Sequence, residues 1–368
     1  MKYYILSGEA SGDLHGSNLM KALLLEDPQA NIRFWGGDLM AAVGGTLVKH
    51  YKERAFMGFA EVITNLSTLL GFIKFCKEDI AKFNPDKIIF IDNSGFNLRI
   101  AKWAKAASFY TIYYISPQVW ASRSGRVKAI KRDIDEMYVI LPFVEEFYKK
   151  HDYKVTFVGH PLLDAIANRK QVRELEFRKE YQLGEKPIIA LLPGSRKQEI
   201  KKLLTVMLKM ADKFTAYQFV IAGAPSQDFE FYQSFITKDN VRFISNKTYD
   251  LLSVSYAAIV TSGTATLETA LFKVPEIVCY KTSWLSYQIG KRLINLKFIS
   301  LVNLIMNKEV VKELIQNDFN ETTLEKELHK ILEEENRSKM FLNYFDLECK
   351  LGGKGASQKT AKLIVKKS

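Results

Sequence analysis

Residues Leu252–Glu268, LSVSYAAIVTSGTATLE, run from an apolar strand (Ala257, Ala258, Ile259, Val260) through a turn of glycine and hydroxyl residues into a helix bearing Glu268. That order sets backbone N–H groups, Ser/Thr hydroxyls and a helix start at the carboxyl edge of a sheet, an arrangement suited to holding phosphate. Glu268, about one helical turn beyond Thr264, is placed to accept hydrogen bonds from a sugar hydroxyl while the helix start takes a diphosphate. The run reads either as a nucleotide-sugar site or as an ordinary capped βα turn.

Working outward, short apolar strands alternate with helical patterns along the whole chain. Strands are predicted at Tyr3–Leu6, Ile32–Trp35, Lys87–Ile91, Thr111–Ile115, Met137–Leu141 and Val155–Val158, then at Ile188–Leu192, Gln218–Ala222, Arg242–Ile244, Ala257–Thr261 and Glu276–Tyr280. Helical patterns such as Ser17–Leu25, Leu98–Ala107 and Ile200–Phe214 lie between them. Alternation of this kind predicts an α/β protein with parallel sheets covered by helices on both faces. The charged stretch Asn168–Lys186 lacks strand character, which puts a domain boundary near Ala167. The expected layout is a domain over 1–167, a second over 168–350 and a basic tail over 351–368. Two doubly wound, Rossmann-like domains would face each other across a cleft, with ligand loops at their strand ends.

At 368 residues and 47% apolar content the chain has material for two real cores. No stretch reaches the roughly 18 uninterrupted apolar residues of a spanning helix, and the chain opens on strand-like Lys2–Leu6 with no leader-like segment. A soluble or surface-bound, cytoplasmic protein is expected. Cys76, Cys279 and Cys349 have no C-x-x-C spacing, so they read as free thiols. The formal charge of +12 favours an anionic partner. Basic residues gather at Arg123, Arg126, Lys128, Lys131 and Arg132, and again at Lys354, Lys359, Lys362, Lys366 and Lys367. Neither cluster lies in a nucleic-acid-binding motif, so lipid or phosphate is preferred as the partner.

Several strand ends carry candidate chemistry. The first strand runs into Ser7–Gly16, SGEASGDLHG, in which Asp13 reads as the cap of a helix beginning near Leu14 or as a polar group in the cleft. Asp92, in the loop Ile91–Asn97, should share the same edge with Glu9 and Asp13, where an acid can act as general base or form an Asx turn. Arg196 follows a Leu-Leu-Pro-Gly-Ser turn with Glu199 in reach to orient it, and a guanidinium suits diphosphate. Asp133-Ile134-Asp135 has D-x-D spacing but sits where a basic helix ends, and the five histidines lack metal-ligand spacing, so no metal is expected. His160 reads as a cleft residue.

Taken in order, SGEASGD (Ser7–Asp13), GFAEV (Gly58–Val62), the ID-x-x-x-FN loop (Ile91–Asn97), YYISPQVWA (Tyr113–Ala121), FVGHPLLDA (Phe157–Ala165), LLPGSR-x-x-EI (Leu191–Ile200) and SGTATLE (Ser262–Glu268) resemble the lipid-A-disaccharide synthases over essentially the whole chain. The resemblance implies the two-domain GT-B glycosyltransferase fold. It implies transfer from UDP-2,3-diacylglucosamine to 2,3-diacylglucosamine 1-phosphate, with inversion at the anomeric carbon, to give a β-1′,6 disaccharide 1-phosphate and UDP. It also implies no metal or cofactor and work on the cytoplasmic face of the inner membrane. By match, Arg196 and Ser262, Gly263, Thr264, Ala265 and Thr266 receive the diphosphate, with Gly194 and Ser195 beside them, and Glu268 receives the ribose. Ser11, Gly12, Asn97, His160 and Asn303 match further substrate positions. The family loop commonly reads D-x-P-D-F-N, and its second aspartate is the usual base candidate. This chain has Gly95 there, which leaves Asp92, with Glu9 and Asp13 as alternatives.

Acyl substrates need apolar surface. From Phe59, positions Val62, Leu66, Leu69, Ile73, Cys76, Ile80 and Phe83 form one helical stripe, and Leu70, Phe72 and Phe75 fall off it. That surplus suits membrane contact or acyl chains, with the basic helix near Arg126 and Lys131 meeting lipid phosphate; extra packing or a dimer interface fits equally. The tail is expected to pack back across the domains or onto a partner chain, so the protein is a monomer or a homodimer. Two other classes stay open. One is another UDP-sugar enzyme of the same fold, a muramyl-type N-acetylglucosaminyltransferase or a UDP-sugar 2-epimerase. The other is a non-catalytic membrane-surface or nucleotide-binding module.

Overall fold

The computed structural model describes residues 1–55, 66–120, 124–224, 226–282 and 297–366. The GFAEV segment, Ala121, Arg123 and Lys367 therefore lie outside the described residues. The chain divides into two compact units, Met1–Asn168 together with the segment from Leu351 onward, and Arg169–Lys350.

The first unit holds a seven-stranded sheet: β1 (Lys2–Leu6), β2 (Asn31–Gly36), β3 (Thr46–His50), β4 (Lys87–Ile91), β5 (Tyr110–Tyr114), β6 (Glu136–Val139) and β7 (Thr156–Phe157), in the order β3-β2-β1-β4-β5-β6-β7. Every pairing is parallel, with Leu6 beside Phe90 and Ile91 beside Tyr114. Parallel strands covered on both faces must be apolar throughout, and all of β4 is buried. Its lysine, Lys87, is accommodated because Nζ donates to the Ile364 carbonyl. The order reverses between β1 and β4, so the loops after these strands part there and leave a crevice at the carboxyl edge.

The second unit repeats the plan with β8 (Ile188–Leu192), β9 (Gln218–Gly223), β10 (Val241–Ser245), β11 (Ala257–Thr261), β12 (Glu276–Tyr280) and β13 (Lys312–Ile315), in the order β10-β9-β8-β11-β12-β13. All its pairings are parallel too. Here the order reverses between β8 and β11, the strands that lead into Pro-Gly-Ser-Arg and Ser-Gly-Thr.

The tail belongs to the first unit. Its helix, Ala356–Lys366, buries Ala361 and Ile364 completely in the core that also holds Leu19, Leu23 and Tyr114. Burying an isoleucine side chain is worth about 1.5–3 kcal/mol, so this segment closes the core. Asp164 caps its start, accepting from Gly355 N at 2.6 Å and Ser357 N at 2.9 Å.

The amphipathic helix is described over Leu66–Phe83, with Ile73, Cys76 and Ile80 buried. Of the off-stripe residues, Leu70 is 56% and Phe75 44% exposed, whereas Phe72 is half-buried; the Phe72 and Phe75 ring centroids lie 6.3 Å and 6.2 Å from that of buried Trp35.

Candidate functional site

In the second unit, the ends of β8, β9 and β11 surround a cavity of about 380 Å³, lined by Gly194, Ser195, Glu199, Ala222, Gly223, Ala224, Ser262, Gly263, Thr264, Ala265 and Glu268 among others. The Thr264–Leu271 helix begins at its wall. No side chain among the described residues caps that start, and Thr264 and Ala265 line the cavity, where the helix end supplies its partial positive charge.

Glu268 reaches the same cavity one turn in, and its Oε1 accepts from Tyr249 Oη at 3.2 Å. Burial raises the Glu268 carboxyl above its usual range, and the Tyr249 hydroxyl partly offsets this. Thr266, by contrast, points inward and donates Oγ1 to the Gly263 carbonyl at 2.9 Å.

Arg196 is the N-cap residue of the Lys197–Met207 helix; it is exposed and has no ion-pair partner among the described residues. It lines an adjoining cavity of about 350 Å³ with Lys197, Lys202 and Lys281. The expected orienting contact from Glu199 is not formed. Glu199 instead accepts from Thr261 Oγ1 at 3.2 Å and lies against Gly194, where a Cβ would come within 2.5 Å of Oε2. Gly194 also has φ +100°, so the turn needs glycine twice over.

Asn303 is a correction. It is fully buried, its Nδ2 donates to Val311 O (2.8 Å) and Glu313 Oε1 (2.9 Å), and its Oδ1 accepts from Val310 N (2.7 Å) and Val311 N (3.0 Å). An amide with both groups doubly used has nothing left for a ligand, so Asn303 staples its own loop.

In the first unit, the loops after β1 and β4 bring Glu9 and Asp92 to one edge. Glu9 is exposed at the start of the Ala10–Glu26 helix, and its side chain caps nothing. Asp92 is open to solvent on its outer side, but the sheet end crowds its carboxyl and Glu9 lies near. Desolvation first, and the Glu9 charge second, raise it above the usual carboxylate range.

Asp13 does not join them. The helix begins at Ala10, not near Leu14, so Asp13 sits inside it and is 3% exposed. Its carboxylate accepts from Gly37 N (2.8 Å), Leu39 N (3.0 Å) and Met40 N (3.0 Å), capping the Asp38–Val43 helix. Oxygens committed to three backbone donors make Asp13 a structural cap rather than a base. Ser11 is exposed on the same helix, and Gly12 packs beneath Ser7, where a Cβ would meet Oγ at 2.4 Å.

His160 is corrected too. It is 8% exposed and caps the Pro161–Ala167 helix, Nδ1 accepting from Leu162 N at 3.2 Å. Burial and the neighbouring His15 hold it neutral, pushed down to about 3. Asn97, 1% exposed, spends its amide N–H groups on main-chain carbonyls. The D-x-D carboxylates go separate ways, Asp133 to Arg132 and Asp135 to Lys105 and Thr111, at the amino edge of the sheet. Thr248 and the small residues ending β9 line the cavity without any motif announcing them, and Tyr249 acts there only through its bond to Glu268.

A model of the lipid-A-disaccharide synthetase family matches residues 3–366. A lipid-A-disaccharide synthase of Syntrophus aciditrophicus is 40% identical over 377 aligned residues, covering 99% of this chain and 98% of the relative. The chain belongs to the lipid-A-disaccharide synthase family. The synthase of Idiomarina loihiensis is 39% identical, with 91% and 90% of the two chains covered. The lipid-A-disaccharide synthase family thus accounts for the whole chain, and its members align through both units. Among solved structures, a UDP-GlcNAc 2-epimerase from Neisseria meningitidis bound to UDP-GlcNAc superposes with TM-score 0.73 at 12% identity, covering all of both chains. A glycosyltransferase of kitacinnamycin superposes with TM-score 0.66, also at 12% identity, covering 99% and 98%. Likeness at that identity speaks to the fold alone, which is GT-B, and the epimerase alternative is not favoured over the lipid-A-disaccharide synthase reading.

Proposed function

We propose that this chain is an inverting hexosyltransferase of lipid A synthesis, joining UDP-2,3-diacylglucosamine to the 6-hydroxyl of 2,3-diacylglucosamine 1-phosphate. The observation that carries the reading is an uncapped helix start, a half-buried glutamate and an arginine with no ion-pair partner among the described residues, at one sheet edge, in a chain of this family. The nucleoside lies in the cavity under Glu268, which accepts from the ribose hydroxyls. The diphosphate takes the N–H groups of the Thr264–Leu271 helix and the Arg196 guanidinium. Asp92 accepts the proton of the acceptor 6-hydroxyl as that oxygen attacks the anomeric carbon. The bond from that carbon to the UDP oxygen breaks on the opposite face, and the charge left on UDP is held by the same N–H groups and arginine.

UDP release is the test. Release should be fast only with the acylated donor and the diacyl sugar phosphate acceptor together. Equal rates with unacylated UDP-glucosamine, or without acceptor, would overturn the reading.

The protein works peripherally on the cytoplasmic face of the inner membrane. No helix among the described residues is long and apolar enough to cross a membrane. Support for surface contact comes from exposed Leu70 and Phe75 and from exposed Lys128 and Lys131, all in the first unit. Phe72 and Phe75 both approach the Trp35 ring, and Phe72, the more buried of the two, is left alone in the test. Leu70→Ser with Phe75→Ser should cut binding to anionic phospholipid vesicles about 10–100-fold, two partly inserted apolar side chains being worth about 1.5–3 kcal/mol. Unchanged vesicle sedimentation would remove this helix from the contact.

A further inference from the structure

On leaving β4 the chain places two successive non-glycine residues in the left-handed region, Asp92 at φ +47° and Asn93 at φ +43°. Side chains there crowd their own backbone, so such a pair persists only where its surroundings hold it. Two side chains converge on one atom to do so. Asn97 Nδ2 donates to the main-chain carbonyl of Asp92 at 2.9 Å, with the carbonyl of Ile91 at 3.2 Å. Tyr113, fully buried on β5, donates its hydroxyl to the same Asp92 carbonyl. From the other side Asn93 lies over Gly8, where a Cβ would come within 2.0 Å of Asn93 Nδ2.

We propose that Tyr113 and Asn97 are positioning residues, which fix the backbone of Asp92 and thereby aim the carboxylate that takes the acceptor proton. The proposal rests on the reading of Asp92 as the base. Neither side chain bonds the carboxylate itself among the described hydrogen bonds; both act on the carbonyl, so their effect is on direction. Burial keeps the Tyr113 phenol protonated far beyond neutral pH, and it therefore stays a donor throughout the working range. Gly95 offers no second acid in this loop, so a misdirected Asp92 has no substitute within it. A base displaced by about 1 Å loses on the order of 10²-fold in rate.

Tyr113→Phe keeps the ring and removes the donor. It should lower kcat about 10–100-fold with both KM values within about twofold, and move the acidic limb of the kcat–pH profile to lower pH as the loop relaxes and Asp92 gains water. On an Asp92→Asn background the same change should alter the residual rate less than about twofold, because a residue acting through Asp92 has nothing left to act on. Gly8→Ala, which pushes on Asn93 from the opposite side, should reproduce the loss and the shifted limb, and serves if Tyr113→Phe does not fold. Folded variants with unchanged kcat and limb, or losses that add to that of Asp92→Asn, overturn the proposal. A fully active Asp92→Asn enzyme instead overturns the base assignment.

Discussion

Asp92→Asn is expected to lower kcat by about 10³-fold while both substrates still bind, within the range general-base catalysis contributes. The substitution is nearly isosteric and, like aspartate, asparagine tolerates the left-handed backbone found at this position (φ +47°), so the loop is retained and only proton acceptance is lost. The sign of the pH dependence follows from the raised carboxyl. The base works when ionised, so kcat is full above the raised value and falls as pH drops through it. Removing the carboxyl should abolish that limb as well as the rate. Single-turnover rates across pH would check both, and a variant within tenfold of the wild type would transfer the role to Glu9, the other unengaged acid at this edge.

How much of this was legible depended on how local the determinant was. The fully buried strands β4, β8 and β11 are apolar except for Lys87 and Thr261 at their ends, because both faces are covered, and their predicted bounds agree with the structure. The two missed strands, β3 and β13, each lie at one edge of their sheet. With one neighbour each and half-exposed faces, TLVKH and KELI lack the near-continuous apolar run by which the central strands are recognised. Side-chain tasks were least legible where partners are distant in sequence. Nothing around Asp13 announces that the N–H groups of Gly37, Leu39 and Met40 converge on it, and nothing near Asn303 shows that the Val310–Glu313 segment returns to saturate its amide. The family motif gave Arg196 and Glu199 as neighbours in sequence, but the close approach of Gly194 turns Glu199 toward Thr261 instead.

The same distinction between position and task sets the expectation for Glu268→Ala. Among the described residues the Glu268 side chain has one partner, the Tyr249 hydroxyl, and it lines the cavity. Its remaining acceptor capacity is free for a ribose diol, and a hydrogen bond to a charged group contributes about 1.5–3 kcal/mol. Donor KM should therefore rise roughly 10–100-fold, since every 1.4 kcal/mol is about tenfold, with acceptor KM within about twofold. Glu268→Gln keeps one acceptor oxygen and should lose less. Because burial raises the Glu268 carboxyl, donor binding should also weaken as pH falls through that raised value, where protonation removes acceptor capacity, and the alanine variant should lose this dependence. Arg196→Ala should differ in kind: the guanidinium meets charge that grows on UDP as it departs, so kcat falls along with donor affinity, and lysine restores it only in part because it cannot bind bidentately. Initial rates with donor varied at saturating acceptor, and then the reverse, separate these effects. A Glu268→Ala enzyme whose acceptor KM rises while donor KM stays fixed would mean that the cavity of the second unit receives the acceptor, and that the donor and acceptor halves must be exchanged.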